Sequence, residues 1–200
     1  MFDVEHRSPT LPYNEVLVET ITQLAKENNL SITDSFAEPF GNSPGTWGPF
    51  PDSIDALGRL KKHYSTLVLL SNIDNVNIRT TVDQRLEPIK FEAVYTAQDI
   101  GSYKPERRNF EYMAGHMRKE LGLDYDKGDV LHVAHSLQAD HVTCKKMGLR
   151  SVYIARGEDE ASAVNKVGGR DKVGYEWKFE TLNDFADEVE RQFQAKQGAK

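Results

Sequence analysis

The run Thr66-Leu-Val-Leu-Leu70, closed by Ser71-Asn72, is the feature that most restricts the fold. In a strand, successive side chains point to opposite faces, so a run that is apolar on both must be covered on both. That is the position of a strand inside a parallel sheet with helices above and below. Shorter runs of similar character recur at residues 91–95, 129–134 and 151–154, separated by helical spacing at residues 109–121 and 140–147. This alternation predicts an α/β fold with a doubly wound parallel sheet. A helix carrying Ile54, Leu57 and Leu60 leads into the first strand, and helical spacing over residues 182–193 closes the chain.

The N-terminal part reads differently. From Tyr13 to Ala25 the apolar residues Val16, Leu17, Ile21, Leu24 and Ala25 form one stripe of an amphipathic helix. Residues 39–51 then hold four prolines and three glycines around Trp47 and Phe50, a density that predicts an irregular boundary. The expected organisation is a helical piece over residues 1–47 and an α/β core over residues 48–200. Residues 157–174, polar and containing glycine, read as a surface loop.

Charge and cysteine usage narrow the function classes. Against 31 Asp and Glu there are 25 Lys and Arg, a net charge of -6, which gives no general attraction to nucleic acid or anionic lipid. Cys144 is the single cysteine, so no internal disulfide framework is available, in keeping with a reducing compartment. The charged start, Met1-Phe2-Asp3-Val4-Glu5-His6-Arg7, is unlike a signal peptide, and no stretch is long and apolar enough to span a bilayer. Cytoplasmic residence is the expectation.

In open parallel sheets ligands gather at the carboxyl ends of the strands. Three places qualify. Ser71-Asn72 can grip an anionic oxygen or simply cap the next helix. Lys104, in Gly101-Ser-Tyr-Lys-Pro105, can neutralise a carboxylate or phosphate or serve only solubility. The segment His132-Val-Ala-His-Ser136-Leu-Gln-Ala-Asp140 ends a strand on Ser136 and Asp140, the latter an acid for a lysine or a cation, or a first-turn helix acid. His132, His135, His141 and Cys144 are zinc-type ligands, but the strand parity of the first two opposes a shared metal.

In combination these segments resemble the last three motifs of the haloacid dehalogenase superfamily, and Trp47-Gly-Pro-Phe-Pro-Asp52 and Phe91-Glu-Ala-Val94 are similar to its type II branch of 2-haloacid dehalogenases. The resemblance runs from about Pro9 to Phe193 and implies a Rossmann-like core with a partial helical cap. It implies that Ser71 and Asn72 bind substrate oxygens, that Lys104 screens the nucleophile and its covalent intermediate, and that Asp140, next to Ser136, supports the lysine and the hydrolytic water. Lys104, Asp140 and Ser136 are thus the candidate catalytic residues. The implied substrate is a small anion: a carboxylic acid or a phosphate ester.

Two departures shape the expected chemistry. Ser136 stands where phosphatases of the superfamily carry a second acid, so no metal or other cofactor is expected and magnesium is disfavoured. Leu137 stands where many dehalogenases have asparagine. No residue matches the nucleophilic aspartate, whose strand would precede the cap: Asp3 follows no apolar run, and Asp52, Asp74 and Asp99 fall in the wrong order. The expectation is a chain that lacks this first motif, either a hydrolase of the superfamily acting on a small acid or phosphate ester, if it acts at all, or an inactive member that binds or stabilises a partner. Without the central strand, residues 66–70 and 130–134 are expected to pair directly, or a second chain, a homodimer partner for example, to fill the slot, or the sequence to be a truncated version of a longer protein. Ser71, Asn72, Lys104 and Asp140 are expected to converge at one sheet edge.

Overall fold

The computed structural model describes residues 1–198. Its helices and strands run in the order α1 (Phe2–Arg7), α2 (Tyr13–Glu27), α3 (Asp34–Gly41), α4 (Ser53–Lys61), β1 (Val68–Ser71), α5 (Asn75–Thr80), β2 (Ala93–Thr96), α6 (Ala97–Ile100), α7 (Arg107–His116), β3 (His132–Ala134), α8 (Val142–Met147), β4 (Ser151–Ile154), α9 (Glu160–Lys166), β5 (Trp177–Phe179) and α10 (Leu182–Gly198). The fold is α/β, and every strand pair is parallel. The chain divides into two compact units, one of residues 1–49 and 67–104, the other of residues 50–66 and 105–200.

In the first unit β1 pairs with β2, Val68 opposite Ala93 and Ser71 opposite Thr96. The buried cluster beside this ladder joins Val4, Val16, Ala97 and Tyr103, with Leu11 and Tyr13 packed on it. α2 and α3 touch where Gly41 removes a side chain: a β-carbon there would lie 2.5 Å from the Asn14 carbonyl oxygen and 2.6 Å from Val18 Cγ2. Gly41→Ala should therefore cost about 2 kcal/mol, the usual penalty of overpacking. Urea unfolding checks this, and a change under 0.5 kcal/mol would mean that the two helices separate easily.

The second unit is a three-stranded sheet, β3-β4-β5, with β4 central. Val152 and Ile154 of β4 face a cluster with Ala56 and Leu60 of α4 and Phe185, Ala186 and Val189 of α10. Tyr153 faces the other way, onto Leu137, Ala163, Val164 and Val173. The period-two alternation of an all-apolar strand thus fills a core on each face, as a doubly wound sheet requires.

Three expectations are corrected. The direct pairing of residues 66–70 with 130–134 is not found: β1 belongs to one sheet and β3 to the other, and among the described residues no ladder joins them, which leaves a second chain or a longer protein as the remaining arms. In keeping with the reading of Asp3, residues 1–10 hold the helix α1 and no strand. Residues 157–174 are more than a loop, because Asp159 caps α9, its carboxylate accepting from Ser162 N at 2.8 Å, and Ala163 and Val164 of that helix are buried. The proline-rich stretch is also partly regular, since α3 contains Pro39 and residues Ser43–Thr46 form a 3-10 turn.

Candidate active site at the strand ends

In the first unit, Ser71 is the last residue of β1 and Asn72 follows it. The Asn72 side chain clamps the main chain of Lys104: Lys104 N donates to Asn72 Oδ1 at 2.8 Å, and Asn72 Nδ2 donates to Lys104 O at 3.2 Å. A primary amide carries both a donor and an acceptor, so it can bond the N–H and the C=O of one residue together. Ser71 Oγ accepts from Ile73 N at 3.3 Å, which fixes the turn beyond the strand.

Lys104 then folds back, and its Nζ donates to the Leu70 carbonyl at 3.0 Å. Leu67 O accepts from Glu92 N, so by strand alternation the carbonyl of Leu70 points to the edge away from β2. The ammonium thus serves a main-chain acceptor on the edge of β1 opposite β2. Ser71, Asn72 and Lys104 are thus brought together, with an ammonium held at the carboxyl end of a strand.

In the second unit, β3 ends at Ala134, and a π-helical turn, Leu137–His141, follows and leads into α8. Ser136 caps that turn, its Oγ accepting from Ala139 N at 3.0 Å. The wide turn places Asp140 inward, 6% of its side chain exposed, where its carboxylate meets His132 Nε2 at 2.9 Å. The His132 ring lies against Phe110, centroids 5.4 Å apart. π-helical turns inside helices recur at functional sites because they turn a side chain out of register. The pairing of His132 with Asp140 has one signal in the sequence, a strand histidine eight residues before an acid. Ser136 and Asp140 therefore belong to the second unit and the other three candidates to the first.

The remaining histidines have other partners. His135 Nδ1 meets Ile154 O at 2.8 Å, and His141 meets Ser151 Oγ and Ala134 O. Among the described residues no group of three or more His, Cys, Asp or Glu side chains is placed to hold a metal ion. The aspartates outside the motif order are all engaged structurally. Asp52 binds Arg156 and the start of α10, Asp74 caps α5 through Val76 N and Asn77 N, and Asp99 accepts from Asn75 Nδ2.

No protein-family model and no curated protein matches the chain. Solved structures do. An L-2-haloacid dehalogenase superposes with a TM-score of 0.75 at 15% identity, over 93% of this chain and 78% of that one. The fold is that of the L-2-haloacid dehalogenases. The Xanthobacter autotrophicus L-2-haloacid dehalogenase with chloropropionic acid covalently bound gives 0.72 at 19% identity, over 90% of this chain and 77% of that one. A putative HAD-hydrolase from Bacillus subtilis, bound to magnesium, gives 0.67 at 16% identity over 90% and 73%. Such identities establish the dehalogenase fold and leave the chemistry to be argued from this chain's residues. No helix among the described residues is long and apolar enough to cross a membrane.

Proposed function

We propose that this chain is a haloacid dehalogenase-like hydrolase by descent whose first unit binds a small carboxylate or phosphate ester through Ser71 and Lys104. The observation that carries this reading is the reciprocal clamp of Asn72 on the Lys104 peptide, with the lysine ammonium held at the end of β1. A lysine kept only for solubility needs no such support. In this reading Ser71 is the hydroxyl donor to the anion, Lys104 supplies the charge, and Asn72 is a positioning residue. In the same reading Asp140 and Ser136 stand for the fourth motif, with His132 Nε2 2.9 Å from the Asp140 carboxylate.

The engagement of Asp52, Asp74 and Asp99 favours a second reading, in which this chain binds its anion without turnover. None of the three is placed as an attacking carboxylate, and anion stabilisation without a covalent nucleophile leaves only a residual rate. We therefore expect weak binding of 2-chloropropionate and of inorganic phosphate by NMR titration. Lys104→Ala should weaken it about tenfold, the loss of one charge-assisted contact. Halide or phosphate release should stay below about one per second. Binding unchanged in Lys104→Ala would refute the site. Fast turnover abolished by replacing an aspartate of this chain would show that the nucleophile is present after all.

A further inference from the structure

Glu5, on the short helix α1, is 4% exposed, and both of its carboxyl oxygens are buried without a hydrogen-bond partner. An ionised carboxylate in that state is strongly disfavoured, because nothing replaces the water it loses. Among the described residues, Tyr13, Tyr103, Asp74 and Arg7 each bond elsewhere. From α2, the Tyr13 hydroxyl is directed to Met1 Sδ at 3.5 Å. After α6, the Tyr103 hydroxyl donates to the Leu11 carbonyl. At the start of α5, the Asp74 carboxylate accepts from Val76 N, Asn77 N and Asn77 Nδ2. On α1 itself Arg7 reaches out to Glu19 and Gln23. The Met1 amino group is the positive charge that acts on Glu5, while Glu5 and Asp74 both raise the cost of ionising Tyr13 and Tyr103.

What holds α1 in place is apolar: Val4, 2% exposed, against Val16, Ala97 and Tyr103. A six-residue helix has no stability of its own, so its seat depends on those contacts and on what burying Glu5 costs.

We propose that Glu5 makes the docking of α1 proton-dependent: the helix is seated while the Glu5 side chain is a neutral carboxylic acid and leaves its seat when the carboxyl ionises. Burial pushes the Glu5 carboxyl up to about 7, the Met1 amino group offsetting part of the rise. The folded-state value lies above the unfolded one, so docking is strongest below the ordinary glutamate range, weakens as pH rises toward 7, and is constant above it. Release uncovers the face of Tyr103, the residue before Lys104. The device stands whether or not Lys104 binds an anion.

The test uses the full chain and its Glu5→Gln variant, which keeps the shape of the side chain and removes the charge. The Ser8 amide, bonded to Val4 O at 2.9 Å, reports the seating of α1 by hydrogen exchange corrected for intrinsic rates. Between pH 5 and 8 the wild-type opening constant should rise by roughly one to two powers of ten while that of Glu5→Gln stays level. A 13C titration of the Glu5 carboxyl in the wild-type chain should show a midpoint well above that of an exposed glutamate, and it decides the matter even if the variant fails to fold. Parallel exchange profiles for the two proteins, loss of α1 protection at every pH in a Glu5→Gln variant that is otherwise folded, or an ordinary glutamate midpoint would each overturn the proposal.

Discussion

Asp52→Ala is expected to destabilise the second unit by about 3 kcal/mol, the range for breaking a largely buried ion pair together with a helix cap. Asp52 Oδ1 accepts from Arg156 Nη1 at 2.7 Å, with side-chain exposures of 14% and 16%. Its other oxygen accepts from Leu182 N at 2.8 Å and Asn183 N at 3.4 Å, the first amides of α10. That helix also has a local capping box, in which Thr181 Oγ1 accepts from Asp184 N and Asp184 Oδ2 accepts from Thr181 N. The box serves the amides at either end of the first turn, and Asp52 serves the two between them. Arg156 adds to the loss, because its guanidinium, 4.0 Å over the Phe50 ring, is left largely buried without its carboxylate partner. Burial raises the Asp52 carboxyl, but the bonds from Arg156 and Leu182 outweigh it and hold the group below the usual aspartate range. Its contribution is therefore present above the ordinary aspartate pKa and is lost as pH falls through the lowered one. Urea unfolding at pH 7 should show the deficit, with a thermal midpoint about 8 °C lower. Asp52→Asn, which can still accept from Leu182 N, should cost less. A loss under 1 kcal/mol for alanine would mean that the box alone secures α10.

The parts of the fold legible in the sequence were those where one strand satisfies two faces. Ser151–Ile154 could be placed from its short, β-branched and aromatic run, and Val152 and Tyr153 are both fully buried, one on each face. α9 was hidden because Gly157, Gly168 and Gly169 flank it, and its signal, Asp159 before Ala163 and Val164, is short and polar. β5 is three residues long, with Trp177 and Lys178 exposed, so it carries no core pattern. At the candidate site, Ser71, Asn72 and Lys104 could be chosen by residue type and strand-end position. The task of Asn72 could not, because its partner is a main chain 32 residues away. Glu5 was hidden for the opposite reason. A glutamate among Asp3, His6 and Arg7 reads as a solvated face, and only packing shows that one member of the group faces inward.

Lowering the pH from 6.5 to 4 is expected to cost the second unit about 3 kcal/mol through His141 alone, each pKa unit being worth about 1.4 kcal/mol. The His141 ring is fully buried, edge-on to Tyr153 and Tyr175, and burial pulls its pKa from 6.5 down to about 4. Because the folded-state value is the lower one, the unfolded chain takes up the proton first. Stability is therefore full above the unfolded pKa and is lost as pH falls toward the folded one. Ionisation has one compensation. Ser151 donates its hydroxyl proton to Gly174 O at 2.7 Å, so only a doubly protonated ring can donate to both Ser151 Oγ, 3.0 Å from Nδ1, and Ala134 O, 3.1 Å from Nε2. One added charge-assisted bond is worth about 2 kcal/mol, less than the desolvation of a buried cation. The neutral ring wins down to moderately acid pH. The opposite slope expected from Glu5 belongs to the first unit, so the readout must be local: hydrogen exchange of the β4 amides between pH 7 and 4. His141→Gln, whose amide can still donate to Ala134 O, should flatten that profile while costing less at pH 7. An acid slope that survives unchanged in the variant would assign the proton uptake to other groups.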